Sequence, residues 1–367
     1  MAELLNITDV CKEIFAGGDA PKDGISDVRT IEFPYPIFSN GEANDGLYGY
    51  ARHARVFEPS VTVSARGTIG FAAVRDEPFT PIVRLITLVP NQDIVDIRYL
   101  WYAVQNYHFD GSGTSIPQLT VPMLKRYSFP VPTKDAQSRI VVVLDRISNL
   151  ISLRKQQIAK LDELVKARFV EMFGDITETV PLSYYIAALI AGKSLAGEEV
   201  CPNKVLKTGA ATYDYFDPTQ IKNLPVDYEP QEEHRVNTGD VIISRMNTAE
   251  LVGAAVYVWE APGCTYLPDR LWRAEIKDTA CPIFVWQILI QRSTKESIRC
   301  IASGTSGSMK NISKPGLLGI RVKKVPLDLQ KQFSTFVAQT DQQKLTIQHS
   351  LAQLELLKKA QMQKYFG

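Results

Sequence analysis

One stretch limits the possible folds more than any other: Gln137 to Gly174, QSRIVVVLDRISNLISLRKQQIAKLDELVKARFVEMFG. Apolar residues recur there at alternating steps of three and four: Ile140, Leu144, Ile147, Ile151, Ile158, Leu161, Val165 and Met172, with Leu150 and Leu164 widening the stripe. No Gly or Pro interrupts the run before Gly174. This spacing predicts a long helix with one narrow apolar seam that a partner helix fills. At about 1.5 Å per residue the rod is roughly 57 Å long, more than one domain core requires. Arg154 and Arg168 occupy seam positions, where they weaken packing but can fix register.

The same pattern returns 193 residues later, without a gap, in Gln330 to Gly367. Gln137 falls on Gln330, Leu161 on Leu354, Leu164 on Leu357, and Phe173-Gly174 on Phe366-Gly367. Val131-Pro132 and Val325-Pro326 match with a one-residue slip. An internal repeat of this kind implies that the two helices satisfy each other's seams. The expected packing residues are Leu144, Ile147, Ile151, Ile158, Leu161 and Val165 on the first helix, and Val337, Ile347, Leu351 and Leu354 on the second.

The predicted fold is α+β, with two mixed α/β domains joined by two long antiparallel coiled-coil helices in an internal pseudo-twofold repeat. The expected division is 1–134, 135–175, 176–326 and 327–367. The first domain reads as an opening helix at LLNITDVCKEIF, a Gly- and Asp-rich loop, and β-like runs at VFEPSVTVSA and TIGFAAV. A packing helix follows at IRYLWYAVQNYHF, then a loop and a final strand ending at Pro132. The second domain repeats this plan. Gln118-Leu119-Thr120 lies over Asn311-Ile312-Ser313, Pro122 over Pro315 and Leu124 over Leu317, all at the same 193-residue offset.

Length and a 45% hydrophobic content allow two or three sizeable cores. Five cysteines, widely spaced and without a CxxC pair, suggest neither a disulfide framework nor a zinc site, and fit a reducing cytoplasm. No segment is long and apolar enough to span a bilayer, and no membrane association is expected. The net charge of +1 does not mark a generally basic nucleic-acid binder. However, Arg292 to Lys324 contains eight basic residues opposed only by Glu296, and a local basic face can hold phosphates on a neutral chain.

AALIAGKS, Ala187 to Ser194, meets a relaxed phosphate-loop pattern. The intervening Ala, Leu, Ile and Ala lack the flexible glycines that let backbone N–H groups curl around phosphates, so it reads as a helix end running into a Gly turn. No Asn- or Asp-Pro-Pro-aromatic tetrapeptide, GxSxG elbow or metal-spaced His pair occurs, so neither a catalytic constellation nor a metal site is expected. Loops suited to a polyanion remain. In the first domain they offer Arg66, Gly67 and Thr68, then Ser112, Thr114 and Gln118. In the second they offer Arg245, Asn247 and Thr248, then Ser303, Thr305, Lys310 and Asn311. Guanidinium, amide and hydroxyl groups beside close-approaching backbone can meet phosphate oxygens or base edges.

In this order of parts, in the turns GSGTSIPQL and SGTSGSMKNIS, and in NTGDVIISRMNTAELVG, the chain resembles the specificity subunits of type I restriction-modification systems across its full length. The resemblance implies a non-catalytic subunit whose two domains each read half of a split, asymmetric site on double-stranded DNA, with the helices as spacer. It further implies docking of two methyltransferase subunits carrying S-adenosylmethionine, and of restriction subunits using ATP and magnesium. This chain itself would bind no cofactor, while the complex would act as adenine methyltransferase and endonuclease. The alternative is a coiled-coil interaction scaffold without DNA readout.

Overall fold

The computed structural model describes residues 2–107, 118–304 and 309–367. It contains two compact units, one of residues 1–157 with 347–367 and one of residues 158–346. Each long helix, Lys134–Phe173 and Leu327–Phe366, therefore contributes one part to each unit.

In the first unit, strands Cys11–Ala16, Ile86–Pro90, Ser60–Val63 and Ala72–Arg75 form an antiparallel sheet in that order. A second sheet runs Leu47–Ala51, Tyr35–Phe38, Thr80–Pro81, its last pair parallel. Glu3–Asn6 pairs with Ser128–Val131. Helix Ile97–Asn106 is capped by Asp96, whose carboxylate accepts from the N–H groups of Arg98 and Tyr99 at 2.8 and 3.1 Å. Its Tyr99 and Tyr102 are fully buried, so these aromatics are core.

The second unit has the same order of parts: Ile186–Ala191, Leu271–Ile276, Val241–Ser244 and Ala255–Tyr257 in one sheet. Ile221–Asn223, Lys204–Leu206 and Thr265–Tyr266 form another, and Thr179–Pro181 pairs with Arg321–Lys323. The letters shared at the 193-residue offset serve this common frame. Thr120 and Ser313 cap the short helices Val121–Leu124 and Lys314–Gly319, with Pro122 and Pro315 in the first turns and Leu124 and Leu317 fully buried.

Two expectations of secondary structure are corrected. LLNITDVCKEIF is not one helix but strand Glu3–Asn6, the single turn Ile7–Val10 and strand Cys11–Ala16. Asn6 and Asp9 form a capping box around the turn, whose Ile7 and Val10 mimic helical spacing, and the flanks are captured by strand pairing. AALIA belongs to strand Ile186–Ala191, where pairing with Leu271–Ile276 overrides the helix preference of alanine and leucine.

The heptad seam is present, and within each unit the helix segments run antiparallel. In the first unit Val141 and Leu144 share a core with Met362 and Phe366, while Lys155 and Glu355 pair at 3.4 Å. In the second, Phe169 and Phe173 meet Phe333 with ring centroids 5.6 and 5.2 Å apart, and Lys344 reaches Asp162 at 2.5 Å. Ile147, Val165 and Val337 are buried, and Ile151, Ile158, Leu161, Ile347, Leu351 and Leu354 are half-buried. Leu150 and Leu164 do not widen the seam, since they are 45% and 48% exposed. They lie on a different face, for which the 3.6-residue turn has no room in a two-helix contact.

The polar part of the second helix has a consequence for pH. Burial pushes the Asp341 carboxyl above its usual range, against the pull of Lys344, with Asp162 adding to the upward shift. Folding therefore favours the protonated form. The resulting stability is complete below the unfolded carboxyl's pKa and is lost as pH rises through the folded one. Asp341→Asn is expected to raise the melting temperature at neutral pH, with the difference closing in acid below about pH 4. A melting temperature that falls on substitution at pH 7 would contradict this.

Candidate nucleic-acid interface

In the second unit, strand Val241–Ser244 runs straight into Arg245. The Arg245 N–H donates to the Arg270 carbonyl at 3.0 Å, and its own carbonyl accepts from the N–H of Ile312 at 3.1 Å. Met246–Asn247 then pairs antiparallel with Lys310–Asn311, and Asn311 exchanges both backbone hydrogen bonds with Ser303 at 2.9 Å. The structure thus brings Arg245, Asn247, Thr248, Ser303, Lys310 and Asn311 together; Thr305 lies outside the described residues. The Arg245 Nε donates to the Asn311 Oδ1 at 3.3 Å, and its guanidinium carbon stands 5.7 Å from the Trp272 ring centroid. Lys310 Nζ is turned to the Gly304 carbonyl at 2.8 Å.

In the first unit, Arg66, Gly67 and Thr68 are exposed in the loop between Ser60–Val63 and Ala72–Arg75. Gly67 has φ +76°, a left-handed conformation that favours glycine, and open space where a Cβ would stand. The loop base is fixed by Asn40, whose Oδ1 accepts from the Ala65 N–H at 2.7 Å, and by the Leu119 N–H donating to the Ala65 carbonyl at 2.9 Å. Gln118 accepts through Oε1 from Arg84 Nη1 at 3.3 Å. Ser112 and Thr114 lie outside the described residues.

Arg84 was not singled out from the sequence. It sits in the turn Ile82 to Leu85, where Val83 and Arg84 both have positive φ (+49° and +64°), and Asn40 Nδ2 donates to the Val83 carbonyl. A β-branched residue in that region is costly, by about 1–3 kcal/mol, and persists because its surroundings enforce it. Nothing in IVRL signals such a turn.

The hydrogen bonds Leu119 N–H to Ala65 and Ile312 N–H to Arg245 are 193 residues apart at the donor, so Ala65 and Arg245 are equivalent positions. The two arginines in SARGTIG and SRMNT are therefore not counterparts; Arg66 corresponds to Met246. What the units do share is an amide at equivalent positions, Gln118 and Asn311, each accepting from an arginine of a different segment. Such pairs present donors and acceptors that match base edges.

The basic run Arg292 to Lys324 does not form a free cationic face. Arg292 pairs with Glu296, Lys295 with Asp214 and Lys324 with Glu178. Arg299 donates to the Glu250 carbonyl, Arg321 to Thr179, and Lys323 to the carbonyls of Gly174 and Ile176 at the end of the first long helix. In the first unit Arg75 is likewise unavailable. Its guanidinium carbon lies 3.6 Å from the Phe38 ring centroid, it donates to the Asp45 carbonyl, and burial lowers its pKa to about 10. Among the described residues no cluster of His, Cys, Asp and Glu could hold a metal ion, and no helix is long and apolar enough to cross a membrane.

A duplicated α+β domain with two long helices is also the fold of known chains. The S subunit of a type I restriction-modification system from M. genitalium superposes with a TM-score of 0.60 at 18% identity, over 100% of this chain and 96% of that one. A chain from a structural study of type I complex assembly gives 0.54 at 16% identity, covering 99% and 97%. The family described as type I restriction modification DNA specificity domain matches residues 3–163. Two Mycoplasma pneumoniae proteins named as type I specificity subunits are each 35% identical. One match covers 45% of this chain and 45% of the relative, the other 41% and 48%, so the chain spans about half the length of these relatives. A third, named as the C-terminus of such a subunit, is 38% identical over 30% of this chain and 82% of its own length. This chain belongs to the family of type I restriction-modification specificity subunits.

Proposed function

We propose that the chain is the DNA sequence-specificity subunit of a type I restriction-modification complex, each domain reading one half of a bipartite, asymmetric site. The observation that carries this reading is the pair of like frames with unlike readers. Equivalent amides at 118 and 311 support Arg84 in one unit and Arg245 in the other. A frame kept constant while its polar tips differ is what two different half-sites require. The long helices set the spacing between half-sites. Exposed apolar residues on the first long helix, Val143 and Leu150 in the first unit and Leu164 in the second, are offered to the two methyltransferase subunits. S-adenosylmethionine, ATP and magnesium then belong to the methyltransferase and restriction subunits, in the cytoplasm, and this chain performs no chemistry.

The test is a chimera in which residues 1–134 are replaced by the equivalent domain of another specificity subunit, expressed with its methyltransferase partner. Sequencing of methylated sites is expected to show one half-site changed and the other kept. A chimera that changes both or neither contradicts the reading. Absence of DNA binding by the intact complex favours a protein scaffold.

A further inference from the structure

We infer that a cationic cavity in the second unit, lined by Lys207, Lys222 and Arg270, takes a phosphate of the DNA backbone beside the second half-site. This rests on the DNA-reading proposal and deepens it by separating the group that grips from the group that reads. The cavity, about 360 Å³, is completed by Ser194, Leu206, Thr208, Pro268 and Asp269.

Its charge is unbalanced. Three cations face one carboxylate, and that carboxylate is already engaged: Asp269 Oδ1 accepts from the Ser194 hydroxyl, whose oxygen also accepts from the Asp269 N–H at 3.2 Å. Among the described residues neither lysine nor Arg270 has an ion-pair partner, whereas Lys295, Lys324 and Lys344 of the same unit are each paired with an acid. Like charges gathered around one concavity create a local positive potential that attracts an anion. A phosphodiester supplies that charge, and Thr208 adds a hydroxyl to the lining.

The position fits a backbone contact. Arg270 is joined to the reading segment through its carbonyl, which accepts from the Arg245 N–H at 3.0 Å. The cavity is thus one backbone hydrogen bond from the segment that carries Arg245 and Asn247. In the first unit Gly49 stands opposite Ile37 as Lys222 stands opposite Val205, and Ser39 follows Phe38 as Lys207 follows Leu206. Of the three cations only Arg270 has a basic counterpart, Arg84, since each lies two residues before the residue that pairs with Val63 or Ile243. The two lysines are a property of one half-site. Sequence spacing hides the cation set, because strand pairing brings residues 207 and 222 together and the turn after Thr265–Tyr266 adds residue 270.

The experiment measures duplex binding by the full chain with its methyltransferase subunits, as a function of salt. Wild type is compared with the triple variant Lys207→Ala, Lys222→Ala, Arg270→Ala and with its Gln equivalent, both checked by thermal melting. The variants are expected to bind cognate and non-cognate duplexes about tenfold or more weakly, to the same extent. The slope of log K against log salt should fall by about 1 to 3, and the methylated sequence should be unchanged. A triple variant with wild-type affinity and slope overturns the phosphate contact and leaves the DNA-reading proposal intact. Loss confined to cognate duplex overturns it in favour of base reading. Binding of ATP or inorganic phosphate that the variants lose, with an unaltered DNA slope, assigns the cavity to a free phosphate and overturns the backbone assignment. A wild-type complex that binds no duplex overturns both.

Discussion

Gln137→Leu is expected to destabilise the first unit by about 3–5 kcal/mol, read as a fall in the urea midpoint followed by circular dichroism. Gln137 is fully buried at the start of the first long helix. Its Oε1 accepts from the Asp96 N–H at 2.7 Å, and its Nε2 donates to the carbonyls of Ile94 and Pro132 at 2.9 and 2.8 Å. Leucine of similar size leaves one N–H and two carbonyls stranded without water, at about 1–3 kcal/mol each before relaxation. Gln330, 1% exposed, repeats the arrangement with the Cys281 N–H at 3.0 Å and the Val325 carbonyl at 2.8 Å. Gln330→Leu strands two groups and is expected to cost somewhat less, about 2–4 kcal/mol. The exposed Gln156→Leu serves as a control expected to stay within about 0.5 kcal/mol. Equal, negligible effects for all three variants would remove the glutamines from the list of structural anchors.

These glutamines explain why the repeat is most visible at its ends. Asp96 and Cys281 are the residues preceding the domain helices Ile97–Asn106 and Pro282–Leu289, so each glutamine ties a long helix to the start of a domain helix. The closing phenylalanines dock on the same two helices: Phe366 lies 5.0 Å from Tyr99 and Phe173 lies 5.6 Å from Phe284, centroid to centroid. The shared Gln and Phe-Gly thus mark where the spacer helices are fastened to the recognition domains. Their identity was legible in the sequence, and their partners were not.

The same division holds elsewhere. The seam was legible because a heptad is a local pattern, whereas the short capped helices after Thr120 and Ser313 fall in a stretch read as loop. The strand at Ile186–Ala191 was misread since its conformation is decided by a partner 85 residues away at Leu271–Ile276. The reading loops split in the same way. Arg245, Asn247, Lys310 and Asn311 were found as polar turn residues, and the structure gathers them. Arg84 was missed because two consecutive positive φ values are imposed by Gly17, Gly18 and Asn40 around it. The basic run near the C-terminus was conspicuous as composition, yet three of its charges are paired with acids and four more donate to carbonyl or hydroxyl groups of neighbours in space.

Gly192 turns the apparent phosphate loop into a packing argument with a large expected effect. A Cβ there would stand 1.8 Å from the Leu267 carbonyl oxygen and 2.7 Å from its carbon, both backbone atoms that cannot swing aside. The Gly192 N–H meanwhile donates to the Pro268 carbonyl at 3.1 Å. Gly17 holds the equivalent place after strand Cys11–Ala16, where a Cβ would come within 2.6 Å of the Pro81 carbonyl carbon. Both glycines let one chain segment pass against another at a distance that forbids a side chain. Gly192→Ala is expected to cost about 3 kcal/mol or more, because the two backbone segments that cross there must separate. Lys193→Ala, by contrast, removes only a long contact to the Tyr228 ring, 6.0 Å from its centroid, and should change stability by less than about 0.5 kcal/mol. A nucleotide-binding loop makes a different demand: the lysine is then indispensable for ATP affinity, and its loss shows in a chain that still folds. Denaturation and ATP titration of the two variants decide between them. A Gly192→Ala protein of wild-type stability, paired with a Lys193→Ala protein that has lost ATP binding, would return the motif to phosphate chemistry. The 1.8 Å approach predicts the reverse, with the glycine serving the frame that both recognition domains share.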